Sequence, residues 1–408
     1  MSKINQKIQV VSQSIVPFGE LWESSLRDLL YQAMSIATER AIQSKQIRSE
    51  AEIEAVYVAN MAAGSFSNQR HLSALASQFF EHQPPAFRLE AACASGGAAM
   101  VAATDSLHAG RFKTVLVVGV EKMTDVSPSV ATQVLATAAD MQNEYGSTFP
   151  GLYALLAQAH MEKYGTTRDQ LSAVAVKNHF YAVDNPYAQY RRKISFEDVS
   201  TSALVADPLR LLDCSPITDG AAAVVLQRVS DPVQESPQNK KKRVYITGQG
   251  HAQDTLDVAS RSDVTQLQAT VKAGKQAYEQ ARISPQDIQV AEVHDCFTIA
   301  EILAVEDLGF YEKGAAGVAV EAAAKQLLKG KTSQKNDMKQ RKQEKQFAPI
   351  INLSGGLKAC GHPVGATGVK QIAYIAELLE SGKFTIGLTH NVGGSGATAI
   401  VHILQILS

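Results

Sequence analysis

Apolar residues recur every third or fourth position along residues 24–42, SSLRDLLYQAMSIATERAI, and again along 265–283, TQLQATVKAGKQAYEQARI. That spacing puts one apolar stripe on a helix, so both stretches predict helices. A β-rich run follows each. The first covers residues 53–58 and ends at Asn60; the second covers 288–293 and leads into His294 and Asp295. Further on, Gly110-Arg-Phe-Lys precedes TVLVVGV, and Gly382-Lys-Phe precedes TIGLTHNV. Two coincidences in the same order predict an internal duplication. Strands alternating with helices predict α/β halves, each with a helix-covered sheet.

The first half, residues 1–230, closes near the strand AAAVVLQRV, and the polar segment DPVQESPQNKKK connects it to a second half, 243–408. Residues 121–200 have no counterpart in the second half and predict a helical insertion over the sheet. The second half carries an expansion at 325–346, with Lys325, Lys329, Lys331, Lys335, Lys339, Arg341, Lys342 and Lys345. Such a run is a solvated loop, a contact for the phosphates of a ligand, or a surface for a protein partner.

Composition narrows the class. The chain has 408 residues, 45% hydrophobic and 19% charged, so it has material for a large core. A net charge of -1 gives no field that would favour nucleic acid. The N-terminal segment lacks a leader-like apolar run, no stretch is long enough to span a bilayer, and the chain ends in ILS. A cytoplasmic protein is expected. The four cysteines form neither a disulfide framework nor close metal-ligand pairs, so free thiols and no metal are expected.

Cys93 stands in LEAACASGGAAM, where a strand-like approach meets a helix of very small residues. A helix N-terminus lowers a thiol pKa, which would make Cys93 a thiolate nucleophile. His294 and Cys296 lie two apart in HDCF at a strand end, and would face one side. His362 lies in GGLKACGHPVGATG, at a loop-to-helix junction set up by glycines and Pro363. His390, Asn391, Val392 and Gly393 open HNVGGSG, whose backbone N–H groups could meet a ligand oxygen. Each also has an inert reading as a buried or turn-forming residue. The sequence TGQGHAQ near Gly248 lacks the third glycine of a dinucleotide fingerprint.

Together, CAS at Cys93, HDCF at His294, GHP at His362 and HN-V-G at His390 resemble the thiolase superfamily over nearly the whole chain, specifically the sterol-carrier-protein-2-type thiolases. HDCF replaces the Asn-Glu-Ala-Phe of ordinary thiolases. His390 occupies the position of their last catalytic cysteine, and Val392 a position that is glycine in them.

The resemblance implies a five-layered α/β/α/β/α fold from two similar halves, coenzyme A thioester substrates with no permanently bound cofactor, and a homodimer. It implies Cys93 as the acyl carrier, His362 as its base and Cys296 as the second thiol. His294 and His362 would steady an enolate, and the N–H groups of Cys93 and of the turn at Val392 and Gly393 a tetrahedral oxyanion. The expected activity is an acyl-CoA C-acyltransferase, most specifically an acetyl-CoA C-acetyltransferase. Two alternatives are a weakly active subunit that passes product to a partner enzyme, and a decarboxylating ketosynthase. Retention of the HDCF thiol argues against the ketosynthase.

Overall fold

The computed structural model describes residues 7–229, 242–330 and 348–407. Its strands, in chain order, are β1 (Lys7–Ile15), β2 (Ala55–Ala59), β3 (Ala86–Leu89), β4 (Thr114–Glu121), β5 (Leu204–Ala206), β6 (Leu209–Arg210), β7 (Gly220–Val229), β8 (Val244–Gln253), β9 (Val290–Glu292), β10 (Ile350–Ile351), β11 (Ile386–Gly393) and β12 (Thr398–Ile406). β5 and β6 form a small ribbon, and the other ten make one sheet in the order β10-β9-β11-β12-β8-β1-β7-β4-β2-β3.

That order is a duplication. Reading outward from the centre, β1-β7-β4-β2-β3 matches β8-β12-β11-β9-β10. The pairing directions match too: two antiparallel steps, then two parallel ones, in each half. The halves meet through β1 and β8, antiparallel over three residue pairs, Ile8 with Ile246 to Val10 with Val244.

Helices complete five layers. The helix Leu26–Gln43 starts at a capping box between Ser25 and Asp28 and lays Leu29, Leu30, Met34 and Ala37 on the outer face of β1, β7 and β4. The helix Gln268–Ala281 covers β8 and β12 on the far side. Between the two half-sheets lie the helices Ser95–His108 and Thr367–Glu380, which touch strands of both halves and each other. With helices on both faces, β4 is buried at every position.

The two central helices approach at backbone distance. A Cβ on Gly96 would sit 2.7 Å from the Cα and nitrogen of Gly368, and one on Gly368 would collide with the Asn391 side chain and the Gly97 nitrogen. Only hydrogen fits between these helices.

Two features differ from the sequence expectation. β1 was not foreseen, because its run KIQVVSQSI buries Gln9, Ser12, Gln13 and Ser14. Ser12 and Ser14 donate to the Ala37 and Ala33 carbonyls of the overlying helix at 2.7 Å. The insertion also covers something other than a sheet. Its helix Arg168–Ala182 packs on two helices of the second half, Ala316–Leu328 and Gly356–Cys360. Of the basic expansion, Lys325 and Lys329 are described, with Lys325 paired to Glu321. Lys331, Lys335, Lys339, Arg341, Lys342 and Lys345 lie outside the described residues. Among the described residues no helix is long and apolar enough to cross a membrane.

Gly368→Ala is expected to destabilise the fold by about 1–3 kcal/mol, the usual range for forced overpacking. Gly151→Ala meets only the Thr148 hydroxyl at 3.6 Å and should change stability by less than about 0.5 kcal/mol. Denaturant midpoints of the two variants check this, and equal midpoints would refute the backbone-contact argument.

Candidate active site

Cys93 sits on a forced turn. Ala92, just before it, has φ +52°, a left-handed conformation unusual for alanine. The turn is clamped by Ser95, whose hydroxyl donates to the Ala92 carbonyl at 2.6 Å and accepts from the Ala91 N–H at 3.0 Å. The helix Ser95–His108 begins two residues after the thiol. Cys93 is 8% exposed, and a cavity of about 530 Å³ borders the turn at Ala91, Ala92, Gly393 and Gly394.

The fold brings His294 and His362 to this cysteine. The Cys93 sulfur and one ring nitrogen from each histidine all lie within 4.8 Å of one another. The rings meet edge to face, 5.0 Å between centroids. His294 and Cys296 lie just past β9, before the helix Thr298–Asp307. His362 lies between the helices Gly356–Cys360 and Thr367–Glu380. Cys296 is buried, and its thiol is close enough to Cys93 for a charge on the Cys93 sulfur to oppose its ionisation.

Hydrogen-bond donors and acceptors assign the protons. The Gly97 N–H donates to Asn391 Oδ1 at 3.0 Å, which fixes the orientation of that amide. Asn391 Nδ2 then donates to the Cys93 carbonyl at 3.0 Å and faces His294 Nδ1 at 3.3 Å. His294 Nδ1 must therefore accept, and Nε2 carries the hydrogen. His362 is the reverse. Thr367 Oγ1 donates to the Pro363 carbonyl at 3.2 Å and lies 2.8 Å from His362 Nδ1. Nδ1 therefore donates to Thr367, and Nε2 keeps its lone pair. Neither Nε2 has a partner among the described residues. The site offers one basic nitrogen and one N–H donor beside the same sulfur.

Two buried carboxylates hold the His362 loop from behind. Glu121, at the end of β4, accepts from the N–H groups of Met61, Ala62 and Gly365 and from Asn60 Nδ2, all at 2.8–3.1 Å. Asp295, between the paired His294 and Cys296, accepts from the Leu357 and Lys358 N–H groups and from Asn178 Nδ2. Burial pushes each carboxyl up to about 7, against the pull of those donors. Neither residue, nor Asn60, was singled out from the sequence.

The electrostatics correct one expectation. Cys93 is not activated at rest: burial and the Glu121 charge push its thiol up to about 12, despite N–H groups from Gly394 and Cys93 itself. Desolvation outweighs the helix end. Burial raises Cys296 well above an ordinary thiol and lowers His362 to about 3. Burial, with His362 and His390 nearby, lowers His294 well below its ordinary value. All four groups rest neutral.

The last glycine-rich segment is also placed differently. His390, Asn391, Val392 and Gly393 belong to β11, paired with β12, and the turn falls at residues 394–397. The N–H that reaches the Cys93 sulfur is that of Gly394. His390 is a strand residue: its Nε2 bonds to Thr270 at 2.9 Å and its Nδ1 accepts from the His294 N–H at 3.5 Å. The scattered spacing of ligand-type residues was the sequence argument against a metal, and folding removes that premise by gathering Cys93, His294 and His362. The proton on His294 Nε2 supplies a different argument, since a ligating nitrogen needs its lone pair. Tyr153, in the insertion helix Phe149–Tyr164, reaches Cys296 and was also missed.

Comparison with known proteins places the chain in a family. Residues 8–230 match the family description "Thiolase, N-terminal domain", and 250–406 match "Thiolase C-terminal domain-like". An acetyl-CoA acetyltransferase of Methanothermobacter thermautotrophicus is 44% identical over 408 residues, covering 98% of this chain and 99% of that protein. Sterol carrier protein 2 of Bos taurus is 32% identical over 327 residues, 76% of this chain and 56% of that protein. A solved structure titled Ltp2-ChsH2(DUF35) aldolase superposes with a TM-score of 0.74 at 20% identity, covering 98% of both chains.

A resting thiol raised to about 12 has little thiolate at neutral pH, and the fraction rises with pH. Iodoacetamide should therefore label Cys93 slowly at neutral pH, with a rate that climbs and does not level off below about pH 10. Peptide mapping over a pH series checks this. A plateau near neutrality would mean the thiol is ionised at rest.

Proposed function

The chain belongs to the thiolase family of acyltransferases, and from that premise we propose that it is an acetyl-CoA C-acetyltransferase that works through an acyl group on Cys93. The observation that carries this reading is the meeting of the Cys93 sulfur with one ring nitrogen each of His294 and His362 within 4.8 Å, where the two histidines hold opposite tautomers and both Nε2 atoms are unpartnered among the described residues. The similarity to the acetyl-CoA acetyltransferase over nearly both full lengths supports the substrate class.

In the thiolytic direction the Cys93 thiol passes its proton to His362 Nε2 as its sulfur attacks the 3-keto carbonyl of the substrate. A neutral thiol and a neutral imidazole make this a transfer coupled to attack. Negative charge builds on the carbonyl oxygen, where the N–H groups of Cys93 and Gly394 are at hand. The carbon–carbon bond then breaks and its electron pair leaves as the enolate of acetyl-CoA. His294 Nε2–H steadies the enolate oxygen. The Cys296 thiol gives its proton to the enolate carbon. Free coenzyme A then gives its proton to water, attacks the acyl group and releases it from Cys93, which recovers its proton from His362, while Cys296 takes a proton back from water. Condensation is the same sequence reversed.

No permanently bound cofactor enters these steps. A homodimer in a reducing, cytoplasmic compartment belongs to the same proposal; the four free thiols fit such a compartment.

Purified protein, incubated with acetoacetyl-CoA and coenzyme A, should consume the enolate absorbance. Cys93→Ala should lower that rate by about 10³-fold or more. His294→Ala should lower it by about 10²–10³-fold, as for loss of an oxyanion donor. Cys296→Ala should still take an acetyl group from acetyl-CoA onto Cys93, seen by intact mass, while losing turnover. Normal turnover by Cys93→Ala would end the proposal, and normal turnover by Cys296→Ala would end the assignment of the second thiol.

A further inference from the structure

One group near the reacting atoms has no part in the steps above. Tyr153 lies fully inside the protein, 1% exposed. Its ring stacks on Phe297, the residue after Cys296, with centroids 4.6 Å apart and planes at 30°. The stack fixes the hydroxyl between two partners. It donates to the Gly394 carbonyl at 3.2 Å, and it meets the Cys296 thiol. A carbonyl only accepts, so the phenolic hydrogen lies on the Gly394 side at rest, and the hydrogen in the contact with Cys296 belongs to the thiol. Gly394 in turn turns its own N–H to the Cys93 sulfur. A single tyrosine thus joins Cys296 to the residue that solvates the nucleophile.

We propose that Tyr153 is a positioning residue for Cys296, which aims the thiol and, once that thiol has given its proton to the enolate carbon, swings its O–H from the Gly394 carbonyl to the new thiolate. This rests on the reading of Cys296 as the second thiol. The swing breaks one neutral hydrogen bond and forms one to a charged sulfur, the stronger kind. No proton leaves the tyrosine. In condensation the same bond holds Cys296 as a thiolate before it removes the α-proton. The groups facing this sulfur are Tyr153 from the insertion helix, Cys93 from the first half, and Asp295 and the Phe297 N–H on its own segment. Cys93 and Asp295 oppose the thiolate, so Tyr153 is the one side chain among these that favours it. Arg261 faces the tyrosine from the second half, held by the Ser395 and Leu256 carbonyls.

Tyr153→Phe keeps the stacked ring and removes only the hydroxyl. In that variant acetylation of Cys93 by acetyl-CoA, read by intact mass, should stay within about twofold of the unaltered protein, and the thermal midpoint should barely move. Turnover of acetoacetyl-CoA should fall at least about tenfold. In a Cys93→Ala background, alkylation of Cys296 by iodoacetamide should also slow about tenfold at each pH below its inflection, because losing a hydrogen bond to a charged group lowers the thiolate fraction by that order. Unchanged turnover and unchanged Cys296 alkylation would overturn the proposal. So would a parallel fall in Cys93 acetylation, which marks a merely structural role. Failure of the underlying reading looks different: Cys296→Ala itself would then turn over normally.

Discussion

The site depends on two backbones that touch. Gly96 and Gly368 are each the second residue of a central helix, and each lies where any side chain would force the helices apart. Their contact sets the distance between the Cys93 turn and the His362 loop. It also leaves the slot in which Asn391 reaches the Gly97 N–H and the Cys93 carbonyl with one amide. That amide decides which nitrogen of His294 carries hydrogen. A packing constraint between helices thus becomes a statement about protonation.

Burial then sets the chemical character of the pocket. Desolvation raises both thiols and lowers both histidines, so neutral forms win on every side. The buried carboxylates stand behind the reacting groups and engage backbone N–H groups instead of the thiols or imidazoles. Glu121 comes from the first half and Gly365 from the second, so one of these bonds also ties the halves together at the loop that carries His362. In the proposed reaction charge builds only during turnover, and the His294 Nε2–H, unpartnered among the described residues, is there to meet it.

Much of this could be read from the chain. The twofold repetition of helix, strand and small-residue helix predicted the matching strand orders, and CAS, HDCF and GHP named three residues that the fold gathers. Their junctions between loop and element are marked by glycine, proline or a change of period. Other parts leave no local mark. Ala92 is left-handed where glycine would have advertised the turn. Tyr153 sits among the buried apolar residues Leu152, Ala154, Leu156 and Ala157 of its helix, so its pattern differs little from that of core. The alternation in β1 is obscured by buried serines that bond to carbonyls of the helix that follows. The ionisation of Cys93 was misjudged because a helix end is local and legible, whereas desolvation and Glu121 are contributed by the whole fold.

The matched strand orders carry a consequence for how such a pocket could arise. Two identical subunits meeting about a twofold axis must put the same side chain on both sides of it. In this chain the equivalent helix starts have diverged: one presents a sulfur, the other an imidazole. Joining the copies in one polypeptide released the axis from that symmetry. A nucleophile and its base, which no symmetric pair can hold as different residues at equivalent positions, could then face each other across it.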